Sequence, residues 1–235
     1  MKKIAILLGA VILTGSVMAQ KPSSDDAKFS LEGMINYDNN NGISWNAPNL
    51  RARYFVNDNI AARITLGLSA EGQSLNAYEF DGSGTGTVDV SDMGWSLSLG
   101  AEYHLGGTDK LSPYFSAGIM LGGLSSNVEA SNAGYDYDEE DGWDAYYIDD
   151  FSASSEISTS MFGIGLGAGI DYYVFDNVYL GLELGFSWMN VSDKGGSDSS
   201  TSGGETTTTT YESTGSASST SIGGGELGFR IGWRF

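Results

Sequence analysis

Apolar residues alternate with small or polar residues in eight separate segments of the chain, a period of two that predicts β-strands. In the fourth segment, for example, Trp95, Leu97 and Leu99 alternate with serine and glycine. The eight predicted strands cover residues 29–37, 50–56, 60–69, 95–104, 114–121, 162–172, 178–188 and 226–235. These segments are seven to eleven residues long, and most have the length of about nine to eleven residues that a tilted strand needs to cross a bilayer.

The connections between these segments alternate between short and long ones. Short turns are expected at residues 57–59, 106–112 and 176–177, and long connections at 38–49, 71–93, 124–160 and 190–222. Membrane barrels have short periplasmic turns and long extracellular loops. The sequence therefore predicts an all-β protein, an eight-stranded antiparallel up-and-down transmembrane β-barrel with short periplasmic turns and four long extracellular loops. The last connection, rich in Ser, Thr and Gly, either extends its flanking strands as a polar hairpin or is mobile.

A water-soluble barrel or sandwich is the alternative, and the residues on the two strand faces decide against it. The polar face consists mostly of Gly and Ser, which make a poor solvent surface but fit the narrow interior of an eight-stranded barrel. Aromatic residues on the apolar face lie near the strand ends, as in the two interfacial girdles of membrane barrels. They are Tyr54, Tyr103, Tyr172 and Trp233 at one end, and Tyr37, Trp95, Phe162 and Trp188 at the other.

The first residues of the chain have the pattern of an export signal. Lys2 and Lys3 precede an apolar stretch over residues 4–13, and residues 17–19 (Val-Met-Ala) form a small-residue cleavage site. About ten apolar residues are too few for a membrane-spanning helix. The expected organisation is a cleaved signal peptide at residues 1–19, a short periplasmic tail at 20–27, and the barrel domain at 28–235.

Composition and charge exclude several functional classes. The 235 residues include 34 Gly and no Cys, and 11 Lys and Arg face 30 Asp and Glu, for a net charge of −19. This balance excludes a nucleic-acid binder, and the lack of Cys excludes disulfide scaffolds, thiol enzymes and Cys-rich zinc sites. The four long connections hold 20 of the 30 acidic residues and one base, Lys194, so the acidity is expected on the extracellular side.

The strand pattern and the end of the chain resemble a known family. The segments that carry the resemblance are 53–60 (Arg-Tyr-Phe-Val-Asn-Asp-Asn-Ile), 112–118 (Ser-Pro-Tyr-Phe-Ser-Ala-Gly) and 228–235 (Gly-Phe-Arg-Ile-Gly-Trp-Arg-Phe). They are similar to the small bacterial outer-membrane β-barrel proteins of the OmpA/OmpX-like "porin family" group. The resemblance implies a lipid-embedded protein of the bacterial outer membrane; we expect a monomer without cofactors and, because the chain stops at Phe235, without the peptidoglycan-binding domain of OmpA proteins.

In that family an alternating aromatic C-terminal strand is read by the outer-membrane assembly machinery. The resemblance therefore implies that this machinery is a partner of the chain, and that the assembly signal consists of Phe229, Ile231, Trp233 and Phe235.

Charged residues on the inward face are the first candidate for chemistry. They are Glu32, Arg51, Arg53, Arg63, Glu102, Asp171, Glu183, Glu226, Arg230 and Arg234. Opposite charges inside a narrow barrel must pair, since an unpaired buried charge is costly. Two interpretations remain open: a salt-bridge network that fills the barrel, or a narrow gated pore lined by charges and glycines.

The acidic third connection is a second candidate, for weak binding of divalent cations. Its carboxylates are Asp136, Asp138, Glu139, Glu140, Asp141 and Asp144. They do not form an EF-hand, because the glycine comes one residue late and the twelfth position is Tyr147 rather than Glu. Loose binding of hard cations, contact with an extracellular partner, and a merely solvated loop remain the alternatives.

An enzyme is not predicted. The only histidine, His104, faces inward near a short turn, at the wrong end for attack on outer-leaflet lipid or external peptides. The predicted function is that of an integral outer-membrane barrel with a structural or surface role, whose acidic loops contact cations or partners. The alternative is a narrow porin-like channel for small solutes.

Overall fold

The computed structural model describes residues 21–38, 42–44, 50–79, 84–138, 142–222 and 228–235. Within these residues, eleven strands form one antiparallel sheet. They are β1 (Phe29–Asp38), β2 (Gly42–Ser44), β3 (Leu50–Asn57), β4 (Ile60–Tyr78), β5 (Thr85–His104), β6 (Leu111–Asp138), β7 (Gly142–Phe175), β8 (Val178–Ser202), β9 (Glu205–Tyr211), β10 (Ser216–Ile222) and β11 (Gly228–Arg234). No helix in this part of the chain is long and apolar enough to cross a membrane.

Eight of the strands close into a ring. Their order around it is β1, β3, β4, β5, β6, β7, β8 and β11, and β11 pairs again with β1, where Glu32 faces Gly232. β10 pairs with β8 above β11, while β2 and β9 pair with β1 and β8 respectively. The ring confirms the predicted eight-stranded antiparallel barrel, and closure gives each ring strand a partner on both sides.

Alternation along the strands sorts the side chains onto two faces, as the period of two requires. Outward-facing Leu66, Phe115 and Leu166 are between 50% and 60% exposed, whereas inward-facing Arg53 and Glu102 are buried. The predicted short turns lie together at one end of the ring, called here the short-turn end, at residues 58–59, 105–110 and 176–177.

The strands run much further than the hydrophobic pattern predicts. β6 has 28 residues and β7 has 34, although about nine to eleven residues are enough to cross a bilayer. The parts of the long connections that the structure describes are therefore mostly hairpins that continue the barrel wall. We call the described residues within 70–93, 124–160 and 190–222 the extension. In the last of these segments, β8 pairs with β9 and β10, in agreement with a polar hairpin.

The extension has an apolar core of its own. Ala77, Val88, Val90, Val128, Ala130 and Ala133 are buried against one another. On β5, Val88 and Val90 lie on the same face as Glu102 and His104, so the inner face changes from charged to apolar along one strand. Burial of these small side chains explains why a segment rich in Ser and Gly forms regular sheet.

Residues 21–27 pack across the short-turn end. The Ser24 backbone N–H donates to Asp58 Oδ1 at 2.7 Å, and Arg234 Nε donates to the Ala27 carbonyl at 2.9 Å. Ser24 and Ala27 are 7% and 4% exposed. This tail segment therefore covers the end of the barrel at which the chain enters its first strand.

Acid should loosen this tail. The Ser24 N–H bond holds the pKa of Asp58 below its ordinary value of 3.8. A lowered pKa in the folded protein means that the ionised Asp58 contributes stability above about pH 4, and that this contribution is lost as the pH falls through the lowered value. We expect the protection of the Ser24 amide, relative to the exchange of an unfolded chain at the same pH, to fall below that pH, and to be low already at neutral pH in Asp58→Asn. Equal protection in this variant and the wild type would contradict the assignment.

Candidate functional site in the barrel lumen

Eight charged side chains meet inside the short-turn half of the barrel and form one neutral set, called here the lumen network. The four cations and four anions are Arg51, Arg53, Arg63, Arg230, Glu32, Glu102, Asp171 and Glu183. They come from seven of the eight ring strands, and the remaining strand, β6, adds Tyr114. The strand register, rather than proximity in sequence, brings these residues together.

Arg53 is the centre of the network. Its Nε lies 2.6 Å from Glu32 Oε1, and its Nη1 lies 2.8 Å from both Glu102 Oε2 and Asp171 Oδ2. These four side chains are 0% exposed. The guanidinium also lies over the ring of Tyr179, 4.9 Å from its centroid. Three carboxylates around one guanidinium require further cations nearby, since buried charges must be compensated.

Arg230 supplies one of those cations. Its Nη1 donates to Glu32 Oε2 at 2.9 Å, and its Nη2 donates to Asp171 Oδ1 at 3.1 Å and to the Tyr114 hydroxyl. The Tyr114 hydroxyl in turn donates to Glu183 Oε2 at 2.7 Å. Neutral tyrosines thus link the ion pairs and satisfy carboxylate lone pairs that the arginines leave open.

Glu183 marks the upper edge of the network. It pairs with Arg51 at 2.8 Å and with Arg63 at 3.0 Å, and all three side chains retain between 7% and 15% exposure. These three residues border a cavity of about 390 Å³ in the barrel interior. The interior is therefore densely packed with charges toward the short-turn end and hollow beyond them.

Two of the predicted lumen charges lie apart from this set. Arg234 is buried at the short-turn end, where its guanidinium carbon lies 3.6 Å from the centroid of the Phe55 ring. It binds the tail rather than a carboxylate of the network. Glu226 lies outside the described residues.

His104 forms an arrangement that the sequence did not reveal. Its Nε2 is 3.1 Å from Glu102 Oε2, and its Nδ1 is 2.9 Å from the Ser112 hydroxyl. An acid, an imidazole and a hydroxyl in series resemble a nucleophilic triad. However, Ser112 and His104 are each 1% exposed and Glu102 also binds Arg53, so substrate has no access to the hydroxyl. The arrangement connects the β5–β6 turn to the network.

Sequence reasoning missed the tyrosines of this site. Tyr114 and Tyr179 occupy inward-facing positions, which the alternation did indicate, and both are at most 1% exposed. Tyr179 donates to Glu32 Oε1 at 2.7 Å. The residue type hid their role, because tyrosine in a membrane strand also suits the interfacial girdle.

Most of the candidate cation loop lies outside the described residues. This holds for residues 139–141 and for the side chains of Asp136 and Asp138. Asp144 is exposed, and its Oδ1 accepts the N–H of Ala145 at 2.9 Å. Among the described side chains, no three His, Cys, Asp or Glu residues are grouped so that they could hold a metal ion.

The C-terminal strand presents its apolar residues outward. Phe229, Ile231, Trp233 and Phe235 are between 42% and 55% exposed. The Phe235 N–H donates to the Phe29 carbonyl at 2.7 Å, and the Phe29 N–H donates to the Phe235 carbonyl at 2.9 Å. The last residue therefore takes part in closing the ring.

Comparisons with known proteins give one family and several similar structures. Residues 23–194 match the family described as "Outer membrane protein beta-barrel domain". No curated protein gives a significant match.

Three solved structures are similar in outline. The major outer membrane protein of Thermus thermophilus is 14% identical, with 89% of this chain and 99% of that chain covered and a TM-score of 0.43. The N-terminal β-barrel domain of Pseudomonas aeruginosa OprF is 16% identical, with 89% of this chain and 98% of that chain covered and a TM-score of 0.32. The outer membrane protease OmpT from Escherichia coli is 10% identical, with 89% of this chain and 94% of that chain covered and a TM-score of 0.36. At these identities and scores, none of the three likenesses indicates a function.

Proposed function

The chain belongs to the outer membrane protein β-barrel domain family and lies in the bacterial outer membrane, and on this basis we propose that it is a non-conducting, non-enzymatic barrel that serves as a surface protein. In this role the barrel anchors and orients, and the extension makes contacts outside the cell. The observation that carries the proposal is the buried, charge-balanced lumen network below an extension with its own apolar core.

The network supports a closed lumen. An ion that passed through the barrel would have to displace Arg53 and Arg230, each held by two or more carboxylates at 3.1 Å or less. Both side chains are 0% exposed, which supports a lumen without a water-filled path beside them. Breaking a buried pair costs about 3–5 kcal/mol, which is a large barrier for each passage.

The extension supports a role in surface contacts. Its inner face holds the apolar core, while Asp149 and Asp150 are exposed to solvent. An acidic sheet attracts cations and cationic partners and repels anionic ones. We therefore propose cations or basic segments of an extracellular partner as its ligands.

The C-terminal strand, the buried serine and the closed ring agree with the same proposal. Outward exposure of Trp233 and Phe235 supports the C-terminal strand as the segment that the assembly machinery recognises. The buried Ser112 hydroxyl supports a role without catalysis. We propose that the barrel is a monomer, because its ring is closed without a second chain.

Planar-bilayer recording tests the closed lumen. We expect the refolded mature protein to show no steady unitary conductance, because the paired charges block the path of ions. We expect Arg63→Ala to remain silent but to unfold at a lower temperature, because Glu102 and Glu183 lose a partner at 3.4 Å and 3.0 Å.

Heat-modifiable mobility on a gel provides the folding control for both proteins. Steady single-channel steps from the folded wild type, or steps whose size changes in Arg63→Ala, would instead favour the narrow channel. The cavity above the network is the feature that such a channel would use.

A further inference from the structure

Three methionines converge inside the barrel above the lumen network. Met120 on β6 and Met189 on β8 both pair with Gly163 on β7, so they flank this glycine on adjacent strands. Met161 lies two residues before Gly163 on the same face of β7, which makes it a diagonal neighbour of both. Diagonal neighbours in a sheet lie about 7–8 Å apart, within the reach of long side chains.

Glycines opposite the methionines make room for the thioethers. A Cβ built on Gly163 would lie 3.0 Å from Met120 Cε, and a Cβ on Gly122 would lie 3.1 Å from Met161 Cε. Met120 therefore leans toward β7 while Met161 leans toward β6, so the two side chains lie side by side. All three methionines line the cavity of about 390 Å³.

The methionine cluster offers uncharged sulfur atoms as ligands, whereas the lumen network below it consists of charged carboxylate and guanidinium groups. Thioether sulfur is a soft, uncharged donor that selects soft cations such as Cu(I), whereas Ca²⁺ and Mg²⁺ require several oxygen ligands. The arginines at the cavity edge are engaged by Glu183, at 2.8 Å for Arg51 and 3.0 Å for Arg63. Their charges are thereby largely compensated, and the acidic extension attracts cations to this side of the barrel.

We propose that Met120, Met161 and Met189 form a binding site for a soft monovalent metal ion of the Cu(I) or Ag(I) type. The three methionines come from three neighbouring strands around Gly163 and line one cavity, and soft thioether ligands select such ions. Binding requires no proton release and no redox step. The proposal is independent of whether the lumen conducts.

Silver(I) titrated as its nitrate into the refolded full barrel is the test, because Ag(I) does not change oxidation state in air. Calorimetry should give one equivalent bound. Each single change Met120→Leu, Met161→Leu or Met189→Leu should weaken binding at least about tenfold, a loss common for changes around metal sites. The triple variant should lose the site. Leucine keeps the volume of methionine, so folding should be preserved.

Met93→Leu is the matched control, because Met93 is 68% exposed and lies away from the cavity. This variant should bind silver as the wild type does. X-ray absorption of the silver-loaded wild type needs no variant and should show sulfur neighbours. Oxygen or nitrogen neighbours, no binding by the wild type, or unchanged binding by the triple variant would each overturn the proposal.

Discussion

Arg53→Met is expected to destabilise the barrel by about 3–5 kcal/mol, the typical cost of removing one partner from a buried ion cluster. The change leaves Glu32, Glu102 and Asp171 without the cation that lies within 2.8 Å of each. Arg230 still contacts two of these carboxylates, but no further cation enters the space, since methionine fills it with apolar atoms. Urea unfolding in lipid vesicles, followed by tryptophan fluorescence, measures the loss.

Lys194→Met is the control for this change, because it also removes one positive charge but at an exposed position of the extension. Surface substitutions of this kind change stability by about 0.5 kcal/mol or less. The double variant Arg53→Met, Glu102→Gln removes one charge of each sign, and should recover part of the stability. If Arg53→Met and Lys194→Met unfold at the same urea concentration, the lumen network does not stabilise the fold as described.

Leu166→Arg is expected to cost about 2–4 kcal/mol, because a charge on the lipid face near the middle of the bilayer loses its hydration. Leu166 lies on β7 and is 60% exposed on the outer face of the ring. The loss should appear as a lower urea midpoint in vesicles and as slower insertion.

Ser152→Arg on the same strand and the same face is the matched control. Ser152 lies 14 residues away and is exposed on the extension, roughly 45 Å along the strand at about 3.3 Å per residue. In water the added arginine should cost almost nothing. Similar losses at the two positions would mean that the lipid-facing belt is not where the exposed apolar residues place it.

The membrane part of the fold was predictable because lipid imposes a simple rule on it. Lipid-facing positions must be apolar and most lumen positions are small or polar, so alternation is continuous through strands such as residues 162–172. In the extension that rule does not apply. Val88 and Val90, or Val128 and Ala130, alternate over only a few positions, and their outward neighbours resemble those of a loop. Long regular strands therefore could not be distinguished from flexible connections.

The charged residues of the site were predictable, but its tyrosines and its arrangement were not. The alternation of inward and outward positions places all eight charged residues of the lumen network on the inner face. They are conspicuous there because the other residues of that face are mostly Gly and Ser. Which cation meets which anion depends on the stagger of strands around the ring. Arg53 and Asp171 are 118 positions apart in sequence, and only their strand register brings them to 2.8 Å.

Closure of the ring by β1 and β11 has a consequence for the order of folding. Seven of the eight strand pairs join ring strands that are consecutive along the chain, while the pair that contains Glu32 and Gly232 joins positions 200 residues apart. Loop closure over such a separation comes late, because its entropy is lost before the new contacts form. Until then β1 and β11 each present an unpaired edge that lipid cannot solvate. We therefore expect stable insertion to be completed only when β11 has paired with β1.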